Sequence, residues 1–145
     1  MRALVQRVTQ ASVNVAQEVV GTIGPGLCVL VGATHTDTVD TARALAAKVW
    51  HLRVFDDDDG VMNRSLAEAG GAALVVSQFT LYGDTSRGRR PSWVAAARPE
   101  AAEPLINAFI DSLAELGATV ATGRFRAEMH VSLINDGPVT LMLEL

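Results

Sequence analysis

Two short segments of the chain combine hydroxyl, amide and special-backbone residues with few ionisable groups. The first, Ser77-Gln78-Phe79-Thr80-Leu81, follows an apolar run, and the second, Asn135-Asp136-Gly137-Pro138-Val139-Thr140, interrupts one. Neither contains a His, Cys or Glu that could serve as an ordinary acid or base. These residue types favour a site built largely from main-chain donors and acceptors, which recognises its ligand by shape.

Two other motifs imitate ion or nucleotide sites but lack essential residues. Asp56-Asp57-Asp58-Asp59-Gly60 has the Gly of a calcium loop, but that alignment puts Phe55 at the first ligand position and Leu66 at the last. Gly83-Asp84-Thr85-Ser86-Arg87-Gly88-Arg89-Arg90 imitates a P-loop, with Arg in place of the required Lys and of the metal-binding hydroxyl. We therefore expect an acidic turn at the first motif, no nucleoside triphosphate at the second, and no metal.

Side chains that could act as nucleophiles or bases are sparse. Ser77 lacks the flanking glycines of a serine-hydrolase turn, and His35, His51 and His130 have no metal-ligand spacing. The single Cys28 lies inside an apolar run, which predicts a buried, inert thiol. We expect no cofactor.

Positive charge is concentrated in one segment of an acidic chain. The formal net charge of −4 argues against non-specific binding of DNA or RNA by the whole surface. Four of the eleven arginines, Arg87, Arg89, Arg90 and Arg98, nevertheless lie in a stretch without Asp or Glu. Such a patch suits phosphate binding at one place, and the alternative is a solvated loop whose charges are paired with neighbouring acids.

Length and composition indicate one globular domain. The chain has 145 residues, of which 49% are apolar and 19% charged, values that allow a substantial core. No apolar stretch is long enough to span a bilayer, and no signal-peptide pattern opens the chain. We expect a single domain over residues 1–145, a cytoplasmic location, and neither a membrane nor DNA as a partner.

The elements that must position the two segments are mostly strands. Alternation and apolar runs predict strands at 1–8, 11–15, 19–23, 27–32, 53–55 and 72–81, followed by two more near the carboxyl end. In the last strand, alternation predicts one buried face formed by Val139, Leu141, Leu143 and Leu145.

Two main helices are expected beside these strands. The helical spacing of apolar residues predicts one helix from Asp37 or Thr38 to about Leu52, and another from Pro99 to about Gly117. The sequence thus predicts an α/β (α+β) domain with a curved, mixed, barrel-like sheet.

Three stretches in this order resemble motifs of the D-aminoacyl-tRNA deacylase family. They are Val76–Gly83 with Gly88–Ser92 after it, Gly123–Met129, and Asn135–Thr140. The resemblance covers essentially the whole chain. One position departs from the pattern, because Arg126 stands where the family usually has Gly.

The resemblance implies an esterase that removes D-amino acids, and glycine misplaced on tRNA(Ala), from the 3′-end of tRNA. It also implies a homodimer, in which the Gly137-Pro138 dipeptide adopts a cis bond and enters the partner's site. There the two carbonyls would meet the ligand's ammonium and leave no room for an L side chain. Arg7 is the residue implied to hold this dipeptide in position.

The same resemblance implies roles for the remaining site residues. Phe79 and Met129 are expected to contact the terminal adenosine, and Thr80 is expected to position the ester, with a nucleophilic role as the alternative. The catalytic segment implied is Ser77, Gln78, Phe79 and Thr80, and the residues implied to bind acceptor-stem phosphates are Arg87, Arg89 and Arg90.

Several alternatives stay open at this point. A sister tRNA deacylase with a trans Gly137-Pro138 bond and relaxed chirality is related to the main hypothesis. The arginine patch alone suggests a non-catalytic tRNA-binding module, and an inactive structural dimer is also possible. The residue pattern alone favours a hairpin turn for Gly137-Pro138 and a core strand for residues 77–81.

Overall fold

The computed structural model describes residues 1–145 and contains eight strands, three α-helices and one 3₁₀ turn. The strands are β1 (Arg2–Val15), β2 (Glu18–Ile23), β3 (Gly26–Gly32), β4 (Phe55–Asp56), β5 (Met62–Arg64), β6 (Ala72–Ser77), β7 (Thr119–Thr122) and β8 (His130–Glu144). The helices are α1 (Val39–Trp50), α2 (Leu66–Ala69) and α3 (Pro99–Glu115), and the 3₁₀ turn is Phe79–Tyr82.

Six of the strands form one mixed sheet that is nearly closed. Its order is β2-β1-β3-β6-β7, and β8 pairs with β1 along the other edge of that strand. The pairs β3–β6 and β6–β7 are parallel, whereas β1 is antiparallel to each of its partners. Gly21 of β2 packs against Thr122 of β7, which brings the two ends of the sheet together. The predicted curved, mixed sheet is confirmed.

Both faces of the central strands are buried, which explains their continuous apolar runs. On one face, α1 and α3 pack against each other and against the strands, and Phe109 and Leu113 are fully buried. The opposite face carries a smaller cluster that includes Cys28, Leu74 and Val76. Each fully buried Leu or Phe side chain contributes about 1.5–3 kcal/mol from apolar surface removed from water, so the apolar stripes hold the helices on the sheet.

The two predicted main helices are confirmed, and the structure decides how they begin. Thr38 rather than Asp37 caps α1, because its hydroxyl accepts a hydrogen bond of 3.2 Å from the backbone N of Thr41. Pro99 opens α3, where its missing N–H costs nothing, and Gly117 follows the helix with a φ of +107°. The short α2 was not predicted, since four residues are too few to show a helical period.

The predicted strand over residues 72–81 is wrong in its second half. β6 ends at Ser77, which is the last residue paired with β3, opposite Val31. Beyond this point the backbone N of Gln78 still donates to Val31 O at 2.7 Å, and the chain then turns into the 3₁₀ turn. Residues 78–81 therefore do not continue the strand, because β3, their pairing partner, ends at Gly32.

Two strand boundaries also differ from the prediction. Residues 1–8 and 11–15 belong to one long strand, β1, because β8 pairs along nearly its whole length. The short strand expected at 53–55 lies at Phe55–Asp56, where it pairs with β5.

The predicted buried face of the last strand is only half correct. Val139 and Leu143 are buried, but Leu141 is 41% exposed and Leu145 is 49% exposed. The reason is that β8 pairs with β1 alone, so its second edge and part of its apolar surface have no cover within the chain.

The acidic turn predicted at residues 56–60 is confirmed, and its charge serves the turn itself. The carboxylate of Asp57 accepts hydrogen bonds of 3.0 Å from the backbone N of Asp59 and of Val61. Its pKa is lowered, first of all by the bond from Val61, since these donors favour the ionised form. No helix of the fold is both long and apolar enough to cross a membrane.

Candidate functional site

The Gly137-Pro138 dipeptide lies in a large bulge of β8. Gln6 of β1 pairs with Thr140 and Val8 pairs with Asn135, so the four residues 136–139 stand opposite Arg7 alone. The extra residues of a bulge leave the ladder and bend the strand, which directs them away from the sheet. Gly137 and Pro138 are exposed, and the bond between them is cis. The dipeptide is therefore presented at the surface rather than forming a hairpin turn.

Arg7 holds the base of this bulge. Its side chain is largely buried and its Nε donates to the main-chain O of Asp136 at 3.1 Å, while one terminal nitrogen donates to Val54 O at 2.6 Å. The guanidinium also forms ion pairs with the carboxylates of Asp136 at 3.1 Å and Asp56 at 3.2 Å. A planar guanidinium suits this task because its donors point in fixed directions toward several acceptors at once.

Asn135 closes the bulge from the other side. Its Nδ2 donates to Arg7 O at 2.9 Å and to Val139 O at 3.1 Å, and so ties the start of the bulge both to β1 and to the last residue of the bulge. The sequence marked Asn135 only as part of the motif, and no role was predicted for it. The available signal was an amide side chain two residues before Gly-Pro. Its hydrogen-bond partner Arg7 O is 128 positions away in sequence, so local patterns do not reveal the contact.

A cleft with a volume of about 600 Å³ is lined by the first of the two segments. Ser77, Gln78 and Phe79 form part of its wall, together with the end of β3 and the start of α3. The rest of the wall comes from two loop segments and the start of β8: Trp93, Ala96, Ala97, Phe125, Arg126, Ala127, Met129 and Val131. Gly32 at the end of β3 allows this arrangement, since a Cβ there would lie 2.7 Å from Gln78 O. Met129 lines the cleft as well.

Thr80 lies beside the cleft rather than in its lining. It is exposed, and its hydroxyl accepts a hydrogen bond from Nε2 of Gln78. Phe79 and Thr80 begin the 3₁₀ turn, and the leading N–H groups of such a turn have no carbonyl partner within it. These amides are the kind of donor that an oxyanion requires.

Aromatic residues form one side of the cleft. The Phe79 side chain is 56% exposed and contacts Trp93 edge to face, with 5.4 Å between ring centroids. Hydrogen bonds from Thr34 Oγ1 to Ala95 O and from Ala97 N to Ala33 O fix the Trp93 segment to the end of β3. Trp93 was not predicted as a site residue, although a tryptophan among polar and arginine residues was the available signal.

The cleft has almost no titratable side chains. No Asp, Glu, His, Lys or Cys lines it, and Arg98 and Arg126 are its charged residues. Arg126 has a φ of +60°, a left-handed conformation that glycine adopts more readily than a residue with a Cβ. Such a site can orient a ligand and donate hydrogen bonds, but it holds no side-chain base.

The predicted site residues therefore fall into separate groups within one chain. Ser77, Gln78, Phe79 and Met129 come together at the cleft, with Thr80 next to them. Gly137 and Pro138, supported by Arg7, do not line the cleft of the same chain.

The arginine patch at residues 87–90 lies on a third part of the surface. Asp84 and Ser92 exchange two backbone hydrogen bonds of 2.8 Å, which close the loop that carries Arg87, Arg89 and Arg90. Hydrogen bonds from Ser86 lower the pKa of Asp84 and keep its carboxylate engaged within the loop. None of the three arginines has a carboxylate within 4.0 Å, so they are not paired with neighbouring acids.

Known proteins resemble this chain over its full length. A D-aminoacyl-tRNA deacylase from Nocardia farcinica is 63% identical over 147 residues, covering 99% of each chain. One from Chloroflexus aurantiacus is 59% identical over 144 residues, which is 99% of this chain and 90% of the relative.

Solved structures share the fold. A c-Myc DNA unwinding element binding protein has a TM-score of 0.95 and 39% identity, and the match covers 100% of this chain and 99% of that one. A probable eukaryotic D-amino acid tRNA deacylase has a TM-score of 0.84, covering 99% and 98%; at 18% identity, this match shows the fold alone.

The family model described as D-Tyr-tRNA(Tyr) deacylase matches residues 4–144, a range that contains both segments, the arginine loop and Arg7. The chain belongs to this family of deacylases.

Proposed function

We propose that this protein hydrolyses the ester bond of D-aminoacyl-tRNA and releases free tRNA and the D-amino acid. The observation that carries the proposal is the exposed Gly137-Pro138 bulge, held by Arg7, on a chain that has an open cleft lined by Ser77, Gln78 and Phe79. Family membership supports the same reaction, since the relatives are D-aminoacyl-tRNA deacylases.

The terminal adenosine of the tRNA binds in the cleft. Phe79, with its exposed ring braced by Trp93, provides a surface on which a base can stack, and Met129 contacts the same base. The mostly apolar lining excludes water from the base and leaves the ester near the Ser77–Thr80 segment.

Hydrolysis proceeds by attack of water on the ester carbonyl. The amides that begin the 3₁₀ turn, at Phe79 and Thr80, stabilise the oxyanion while the bond between the carbonyl carbon and the ribose oxygen breaks. The attacking water loses a proton, the leaving ribose oxygen gains one, and the neighbouring 2′-hydroxyl of the tRNA assists this transfer. Thr80 positions the ester, since the cleft offers no base to activate its hydroxyl.

The enzyme acts as a homodimer in which the bulge of one chain completes the cleft of the other. The unpaired edge of β8 offers free backbone groups, which favour pairing with another chain. The uncovered apolar side chains of β8 support the same interface: Val131, Ile134, Leu141 and Met142. The Gly137-Pro138 dipeptide lies on this strand and outside its own cleft, as a contribution to a partner's site requires.

Chirality is read by exclusion. Carbonyls of Gly137 and Pro138 that face the ligand's ammonium leave no space for an L side chain, whereas a D side chain points elsewhere. Glycine has no side chain to exclude, so the same filter accepts glycine misplaced on tRNA(Ala). The exposed loop of Arg87, Arg89 and Arg90 contacts phosphates of the acceptor stem.

One assay tests the reaction, namely hydrolysis of D-Tyr-tRNA, L-Tyr-tRNA and Gly-tRNA(Ala) by the purified protein. We expect rapid loss of the D-ester and the glycyl ester, and an L-ester that decays at the rate without enzyme. Comparable hydrolysis of the L-ester would favour the sister deacylase with relaxed chirality. Binding of tRNA without hydrolysis of any ester would favour the non-catalytic module, and neither binding nor hydrolysis would favour the structural dimer.

A further inference from the structure

The loop between β7 and β8 places an arginine at a backbone position that favours glycine. A hydrogen bond of 3.2 Å from Ala127 N to Arg124 O closes a four-residue turn, in which Arg126 is the third residue. Its φ of +60° lies in the left-handed region, where the Cβ of an L residue crowds the backbone. Turns with positive φ at this position usually carry Gly or Asn. Backbone conformations of this kind are concentrated at ligand-binding sites, and Arg126 lies at the edge of a cleft.

The Arg126 side chain lines the cleft and has no partner within the protein. It makes no side-chain hydrogen bond, and no carboxylate lies within 4.0 Å of it. Arg124, two residues earlier in the same loop, lies 3.8 Å from Glu18 Oε2 and does not line the cleft. The two arginines of one turn therefore differ in their surroundings.

A second unpaired arginine lines the same cleft. Arg98 is exposed at the N-cap position of α3, where its side chain makes no capping hydrogen bond and has no carboxylate within 4.0 Å. Two guanidiniums without an opposing acid make the lining positive on a chain with a net charge of −4. Guanidiniums bind phosphate oxygens through paired N–H donors, which makes a phosphate the ligand that fits this pair best.

We propose that Arg98 and Arg126 bind the phosphodiester that joins the terminal nucleoside of tRNA to the preceding nucleotide. This inference rests on the proposed function, because it requires the terminal adenosine to occupy the cleft beside Phe79. The base then meets the aromatic wall, and its phosphate meets the two arginines. These contacts are separate from those of the loop at residues 87–90, which lies outside the cleft.

The test compares two short RNAs that end in the 3′-terminal CCA of tRNA. One has the natural phosphodiester at the last linkage, and the other has a neutral methylphosphonate there. We expect the wild-type protein to bind the natural RNA about tenfold more tightly, as for loss of one charge-assisted contact. Arg126→Asn and Arg98→Ala should each bring this ratio close to one, and Arg124→Ala should leave it unchanged.

The variants are chosen to keep the fold. Asn tolerates positive φ, so Arg126→Asn should not lower the thermal midpoint, and Arg98→Ala removes no capping bond. The proposal is overturned if the wild-type protein binds both RNAs equally or if Arg126→Asn keeps the ratio. Displacement of the natural RNA by inorganic phosphate at constant ionic strength overturns it too, because the arginines would then serve a free anion.

The measurement is independent of ester hydrolysis. If the protein shows the tenfold ratio but leaves D-Tyr-tRNA intact, the result supports the phosphate site and contradicts the proposed function. If the protein hydrolyses D-Tyr-tRNA but does not show the ratio, the result supports the proposed function and contradicts the phosphate site.

Discussion

Arg7 and Asp136 contact each other twice across the β1–β8 pair. Arg7 Nε donates to the main-chain O of Asp136 at 3.1 Å and lies 3.1 Å from its carboxylate Oδ2. One residue on β1 thereby fixes both the backbone and the side chain of the residue that precedes Gly137-Pro138. The position of the exposed dipeptide depends on this contact, because residues 136–139 have left the regular ladder.

Arg7 both stabilises the fold and positions Gly137-Pro138, and two substitutions should separate these roles. Arg7→Ala leaves the buried Val54 O without its donor, whereas the half-exposed carboxylates of Asp56 and Asp136 can be solvated by water. We therefore expect a loss of about 2 kcal/mol in the free energy of unfolding. Arg7→Lys keeps the charge but cannot donate in several directions at once, so activity should fall far more than stability.

Thermal unfolding at a fixed protein concentration and D-Tyr-tRNA hydrolysis measure the two effects of the Arg7 variants. Arg43→Ala is the control, since its ion pair on α1 is exposed, with 3.7 Å between the charged atoms. An Arg7→Lys variant with full activity would argue against a role of Arg7 in positioning Gly137-Pro138.

Gly137→Ala should abolish activity while the protein still folds. A Cβ at this position would have one tight neighbour within the chain, Asn135 Oδ1 at 3.3 Å, so the change in thermal midpoint should be small. In the proposed dimer, the added methyl would instead enter the partner's cleft and occupy the space meant for the ligand's ammonium. Circular dichroism and the D-Tyr-tRNA assay check this, and an active Gly137→Ala variant would count against the proposed filter.

Thr80→Ala should retain much of the activity. The hydroxyl accepts a hydrogen bond from Gln78, and no side-chain base lines the neighbouring cleft. Loss of one positioning hydrogen bond costs about 1 kcal/mol, so we expect a decrease in kcat of less than about tenfold. Single-turnover kinetics measure this effect, and a loss of a thousandfold or more would indicate a nucleophile.

Charge reversal of the arginine loop should weaken tRNA binding without affecting the ester chemistry. Arg89→Glu with Arg90→Glu removes two unpaired cations from an exposed loop, so the apparent Kd should rise. The slope of log Kd against log salt concentration should decrease in magnitude by roughly two, as expected when two phosphate contacts are lost. Binding titrations at several salt concentrations check this, with Arg43→Glu as the control. An unchanged salt dependence would show that the arginines of this loop are solvated and do not contact phosphates.

Cys28 should resist thiol reagents in the folded protein. Its side chain is 1% exposed on β3, and burial raises its pKa to about 11 from an ordinary value of 9.0. At a pH between 9.0 and about 11, the thiol stays protonated in the folded protein but ionises in the unfolded chain. Cys28 therefore lowers the free energy of unfolding as the pH rises through this range.

Labelling with a disulfide reagent at pH 8, before and after denaturation, tests the burial of Cys28. We expect reaction only after unfolding. In Cys28→Ala, the fall in thermal midpoint above pH 9 should be shallower than in the wild-type protein.

Local patterns in the chain were enough to predict the class of fold, both main helices and the Ser77–Phe79 part of the cleft. Helical spacing and alternation depend on neighbours a few residues apart, so they are visible without knowledge of the pairing. The sequence also marked Gly137-Pro138 as special, because Pro fixes its own φ and a Gly before it has no Cβ to crowd the turn.

Only the tertiary structure decided how these parts are arranged. The bulge exists because Gln6 and Val8 pair with residues 140 and 135, and Arg7 reaches Asp136 across 129 positions of sequence. Trp93 becomes part of the site because its segment is tied to the end of β3. β6 ends at Ser77 because β3 ends beside it. Each of these features depends on which distant residues meet, and local residue preferences do not contain that information.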